Sequence, residues 1–203
     1  MYSIKATDKN IRQIVKEGIE RYGPNSDLNY IDTSAVTDMS FLFNNISFNG
    51  DISLWDTHKV EDMYYMFEHS IFNNDISKWD VHNVKYMQFM FSCSAFNSNI
   101  SKWDTHNVVD MDNMFSYSNF NSDINEWDVS NVSNMTYMFR NSEFNQDISL
   151  WDISNVKYMY YMFYNKIYDQ EITWDVDLKE LFGDDFDDYL ERRRLKVLKD
   201  LCI

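Results

Sequence analysis

Cysteine is almost absent from this chain of 203 residues, occurring only as Cys93 and Cys202. Two thiols so far apart offer neither a disulfide framework nor a paired-cysteine zinc pattern, and both read as free thiols of a reducing compartment. Cations are scarce as well: 18 Lys and Arg stand against 33 Asp and Glu, a net charge of −15. A phosphate-binding face needs clustered Lys and Arg, so nucleic acid is not an expected partner, and an anionic membrane surface is disfavoured for the same reason. Long apolar runs are missing too. No hydrophobic stretch follows the charges of MYSIKATDKNIRQ, so neither a signal peptide nor membrane insertion is expected, which points to the cytoplasm. What remains is 44% hydrophobic and 17% aromatic residues, enough to bury a core and to exclude disorder.

Tryptophan shows how that material is organised. Trp55, Trp79, Trp103, Trp127 and Trp151 recur at intervals of 24 residues. Each heads a block such as WDTHKVEDMYYMF or WDVSNVSNMTYMF, so the period carries a whole side-chain pattern. A period of this size marks units that stack along one axis, each too small to fold alone. Phe48 and Ile52 each head an apolar column, and their separation of four suits a short extended segment with both side chains inward. Val60, Met63, Met66 and Phe67 fall on one side of a helix, so the expected unit is strand, turn, short helix.

Both ends depart from the period and read as caps. Ile11, Ile14, Val15, Ile19 and Tyr22 form a helical stripe that Thr7 or Asp8 is placed to cap and that Gly23 and Pro24 stop. After Gly183, Phe186, Leu190, Val197 and Leu201 share a helix side, with acids early and Arg192, Arg193 and Arg194 late. The expected organisation is an N-terminal helical cap over 1–27, a repeat array over 28–175 and a C-terminal helical cap over 176–203.

The repeat closely resembles the BspA-like branch of leucine-rich repeats, whose units read F-N-x-D-I-S-x-W-D-[TV]-S-x-V-x-x-M-x-x-M-F. The match runs from Leu28 to about Asp175, with units one residue shorter than the commoner form. The resemblance implies an α/β fold: a right-handed leucine-rich-repeat-type solenoid of short parallel strands and helical segments. It further implies surface-exposed or partner-binding proteins, and it implies no enzyme activity and no catalytic residue.

Several columns invite a site. The methionines fall at core phase, which answers the thought of a soft-metal site. The Asp56 column stacks carboxylates about 4.8 Å apart, a repulsion that an Asx turn at each level would offset. The column of Asp51, Asp75, Asn99, Asp123 and Asp147 has weaker local reasons and is a calcium candidate, although no Gly-rich loop accompanies it. His58, His82 and His106 alternate with Ser34, Ser130 and Ser154, residues suited to helix N-caps, and neighbouring imidazoles are candidates for a shared zinc ion. No nucleophile joins them in a triad.

One column falls outward if the segment is helical: Phe41, Tyr65, Phe89, Asn113, Tyr137 and Tyr161, thickened by Tyr64 and Tyr160. Such an aromatic strip marks a contact surface. A tighter 3₁₀ turn would instead hide the rings. The expected function is therefore a non-enzymatic scaffold, without cofactor or metal, for protein–protein interaction or self-association. A carbohydrate-binding adhesin using Trp or Tyr rings, or a metal-binding protein using the histidine column, are the alternatives.

Overall fold

The computed structural model describes residues 3–200, and Leu201 and Cys202 lie outside the described residues. Every 24 residues the backbone returns to the same position one level further along. Isolated parallel bridges join Asp38 to Asp62, Asp62 to Tyr86, Tyr86 to Asp110, Asp110 to Asn134 and Asn134 to Tyr158. Equivalent residues therefore lie above one another, and the apolar columns close into one core. Phe48, Ile52, Val60, Met63, Met66, Phe67 and their equivalents through the middle of the stack are fully buried. Rings in adjacent coils lie almost parallel, as in Phe67 over Phe91 at 5.5 Å and Phe115 over Phe139 at 5.8 Å.

The expected helix over Val60–Phe67 does not form. The N–H groups of Met63, Tyr65, Phe67 and His69 donate to Tyr86, Gln88, Met90 and Ser92 of the next coil at 2.9 to 3.0 Å, so they are not free for a helical ladder. Between these rungs, Met66 donates back to Met63 and Glu68 to Tyr65, closing turns of four residues. Tyr65 and His69 adopt left-handed φ of 57° and 52°, and their equivalents do so in the other coils. The result is a ribbon that turns two residues in (Met66, Phe67) and two out (Tyr64, Tyr65), a repeat of four. Over eight residues that pattern cannot be told from a helical 3.6, which is why the sequence looks helical here.

The Phe48–Ser53 segment and its equivalents, expected as strands, are irregular beyond one bridge between Asp27 and Asp51. Side chains replace the missing backbone rungs. The Oδ1 of Asn49 accepts from the backbone N–H of Asn73, that of Asn73 from Asn97, and so on through Asn121 and Asn145 to Asp169, at 2.7 to 2.9 Å. A second amide ladder runs from Asn83 Nδ2 to the His58 carbonyl and repeats at Asn107, Asn131 and Asn155, each 2.7 Å. The indoles form a third: Trp79 Nε1 donates to the Ile52 carbonyl at 3.1 Å, and Trp55, Trp103, Trp127 and Trp151 repeat the bond. Trp174, which arrives one residue early, leaves its buried indole N–H unpartnered.

Each end of the stack is closed by different means. At the start, strand β1 (Ile4–Lys5) pairs in parallel with β2 (Ile31–Asp32), and helix α1 (Ile11–Tyr22) buries Ile11 and Val15 against the first coil. Asn10, and not Thr7 or Asp8, holds the N-cap position of α1, without a side-chain cap bond. Asp8 is drawn away because the first coil has no neighbour below it. Its carboxylate accepts from the N–H groups of Thr37 and Asp38 at 2.7 and 3.1 Å and from the Thr37 hydroxyl. Arg12 supplies the opposite need, donating to the Ser40 carbonyl at 2.5 Å. One acid and one base thus satisfy acceptor-seeking and donor-seeking backbone groups on an open edge, which otherwise templates further pairing.

At the far end a short helix, α2 (Leu178–Phe182), precedes a 3₁₀ turn over Gly183–Asp185 and helix α3 (Phe186–Asp200). The carbonyls of Glu180 and Leu181 accept from Tyr161 and Phe163, continuing the ladder into the cap. The apolar side of α3 differs from the expected stripe: Tyr189 is buried, while Leu190 and Val197 are exposed. Tyr189 stacks on Phe182 at 4.1 Å, and Arg193 pairs with Glu171 at 3.2 Å, which sets the helix on that side. Gly183, at φ +59°, lies so close to Tyr161 that an added Cβ would meet the ring at 2.5 Å.

Candidate interaction face

The ladder segment carries the aromatic column, and the backbone explains its direction better than any helix does. Phe41, Tyr65, Phe89, Tyr137 and Tyr161 all sit at φ between 55° and 58°. Asn113 completes the column in the same conformation, as Asn45, Asn141 and Asn165 do four residues later in their coils. Asn adopts this region readily, whereas a bulky ring there is strained. The rings compensate by stacking: Phe41 on Tyr65 at 5.2 Å and 4°, Tyr65 on Phe89 at 4.5 Å and 6°, Tyr137 on Tyr161 at 5.6 Å and 10°. Phe41, Tyr160 and Tyr161 are 46%, 43% and 41% exposed. Tyr64, Tyr65, Phe89 and Tyr137 are half-buried, so neither full outward projection nor concealment describes the column. Tyr86, Tyr117 and Tyr158 add exposed rings to the same segment.

Trp55, Trp79, Trp103, Trp127 and Trp151 are buried in their stack, so they give no platform to a sugar, and Trp174 is half-buried. Near-parallel stacking likewise covers most ring faces in the tyrosine column and presents edges to solvent.

The acidic columns resolve into Asx turns, three to a coil except where Tyr86 or Tyr158 takes the place of the third acid. Asp56 Oδ1 accepts from the His58 N–H at 3.2 Å, Asp51 from Ser53 at 2.9 Å and Asp62 from Tyr64 at 2.8 Å, and the pattern recurs up the stack. The Asp51 column thus has the local reason that its sequence did not display. The hydroxyls of Ser34 and Ser130 hold the Asp32 and Asp128 carboxyls below the usual carboxylate range, together with the same residues' N–H groups. His58, His82 and His106 cap no helix. Each turns its Nδ1 to the Asp two residues earlier, at 2.6, 2.6 and 2.8 Å. Among the described residues no three His, Cys, Asp or Glu side chains converge as a metal site would need, and no helix is long and apolar enough to cross a membrane.

Burial raises the pKa of two carboxyls, Asp62 and Asp112, and the larger effect is at Asp112. Burial, with Asp110 alongside, pushes its pKa up to about 6, and Asn113 Nδ2 donates to it at 2.9 Å. Its column holds neutral Gln88 and Thr136 on either side. Because the folded pKa exceeds the unfolded value, the fold is stabilised below about pH 4 and loses that contribution as pH rises through about 6. Asp112→Asn is expected to raise stability at pH 7 by about 1–2 kcal/mol after allowance for solvent screening, and to flatten the pH dependence between those limits. Urea denaturation at pH 4, 5, 6 and 7 checks it; equal slopes for both proteins would refute the assignment.

A family model described as "Mycoplasma protein of unknown function, DUF285" matches residues 10–119 and 92–189. The chain belongs to that family. No curated protein and no solved structure matches it. The DUF285 matches take in α1, the coils, α2 and the first four residues of α3.

Proposed function

We propose that this chain is a non-enzymatic repeat scaffold that binds a protein partner, or a second copy of itself, along the ladder face. The proposal includes reading the coil stack as a right-handed leucine-rich-repeat-type solenoid of the BspA-like kind, with turn ribbons where helices were expected. One observation carries the functional part. Of the seven exposed large aromatic residues among those described, Phe41, Tyr86, Tyr117, Tyr158, Tyr160 and Tyr161 all lie on this one segment of the coil; Tyr22 alone does not. Aromatic side chains bring large contact area at small entropic cost and are enriched at interfaces. Rings held in strained left-handed backbone, where Asn would sit more easily, are a feature that stability alone does not favour.

The test replaces Phe41, Tyr65 and Phe89 together by Asn, which suits the backbone at all three. Lost stacking of about 0.5–1.5 kcal/mol per pair is partly offset by relief of strain, so the variant should fold with a modestly lower melting temperature. Self-association by sedimentation, or recovery of a partner from the native source, should fall at least tenfold. A folded variant with undiminished association would defeat the proposal.

A further inference from the structure

At the upper end of the ladder face lies a cavity of about 250 Å³ lined by Tyr137, Arg140, Tyr161, Tyr164 and Asp184. The arginine is its unusual member. Its guanidinium carbon lies 5.0, 5.4 and 5.5 Å from the ring centres of Tyr137, Tyr117 and Tyr164, within the range of cation–π attraction. Its Nε is buried and has no hydrogen-bond partner. Arg12, Arg192, Arg193 and Arg194 each pair with a carboxylate at 3.2 to 3.9 Å. Arg140 has no such partner among the described residues, in a chain carrying 33 acids. Asp184 borders the cavity without reaching ion-pair distance.

Attraction to ring faces does not use the N–H groups of a guanidinium, which project in its own plane as a fork. Rings on several sides hold the group, and its in-plane donors stay free. A buried donor without a partner in a native structure is a sign of a missing water, ion or ligand. We propose that this cavity is a binding site for a carboxylate, received edge-on by Arg140 between Tyr137, Tyr161 and Tyr164. A planar carboxylate matches the fork with two parallel hydrogen bonds. A dianionic phosphate suits the site less, because Asp184 and the charge of −15 oppose a second negative charge. The proposal is independent of the scaffold reading, which is tested at Phe41, Tyr65 and Phe89 in other coils.

The side-chain Nε–H signals of arginine are observable by ¹⁵N NMR, and Arg140→Lys assigns the one concerned. Sodium acetate is titrated into the wild-type protein at constant ionic strength held with sodium chloride, with sodium phosphate in a parallel series. The expected result is a saturable shift of the Arg140 Nε–H with acetate. In Arg140→Lys, which keeps the charge and loses the fork, acetate affinity followed on the tyrosine ring signals should fall about tenfold or more. No saturable acetate shift in the wild type, a saturable response to phosphate alone, or undiminished acetate binding by Arg140→Lys would each overturn the proposal. The wild-type titration decides the matter even if the variant fails to fold.

Discussion

Trp103→Ala is expected to destabilise the protein by about 3–5 kcal/mol, measured by urea denaturation with far-ultraviolet circular dichroism. The indole is buried, stacks on Trp127 at 6.4 Å and 6°, and donates to the Ile76 carbonyl at 3.1 Å. Its removal therefore opens a cavity between coils and takes from the Ile76 carbonyl one of its two donors, the Trp79 N–H remaining at 3.1 Å. Trp103→Phe separates the two effects, since it keeps much of the volume and loses the bond, whose net contribution is about 0.5–1.5 kcal/mol. Trp174 provides the control inside the same molecule. Its indole N–H is buried and already unpartnered, so Trp174→Phe removes an unmet donor and should cost distinctly less than Trp103→Phe. Equal costs at the two positions would show that the indole bonds contribute nothing and that the Trp column acts by volume alone.

The period, the core columns and the placement of non-repeat helices at both ends can be read from the sequence, because burial of large apolar side chains repeats with the coil. Conformation inside the coil is less legible. A ribbon with two residues in and two out imitates a helix over eight residues, and only its left-handed positions distinguish it. A signal for those existed: Asn45, Asn113, Asn141 and Asn165 occupy columns otherwise held by rings, His or Cys, and recurrent Asn at one phase marks positive φ. The asparagine ladder from Asn49 to Asn145 was visible as a repeated Phe-Asn pair, yet a polar column reads equally well as exposed loop unless its bond to the next level is known. The end contacts are the least legible. Asp8 is an ordinary helix cap in the sequence, and only the open edge of the first coil explains why it turns to Thr37. Arg140 gave no sequence signal at all, since its column holds Asn44, Glu68, Ser92, Ser116 and Tyr164 and shares no chemistry.

Removal of the chain after Asp177 should have the largest effect of any change considered. The last coil ends in N–H groups that need acceptors: Tyr161 finds the Glu180 carbonyl at 2.5 Å, Phe163 the Leu181 carbonyl at 2.9 Å, and Asn165 the Asp185 carboxylate. Leu181, Phe182 and Tyr189 are buried there, with Phe182 stacked on Phe163 at 5.4 Å. Losing those three side chains forfeits roughly 5–9 kcal/mol of gross burial at about 1.5–3 each. It also exposes Phe163 and Tyr168 beside an unpaired edge, the arrangement that recruits a second chain. The truncated protein is expected to melt well below the full chain and to aggregate or form dimers, followed by scanning calorimetry and light scattering. Truncation after Gly183 is the intermediate case. It keeps the α2 acceptors and uncovers Phe182, so it should remain soluble with a smaller loss. The order full chain, 1–183, 1–177 in melting temperature follows from the ladder reaching into α2. If the two truncations melt alike, α2 adds nothing to the closing of the last coil, and the capping account fails.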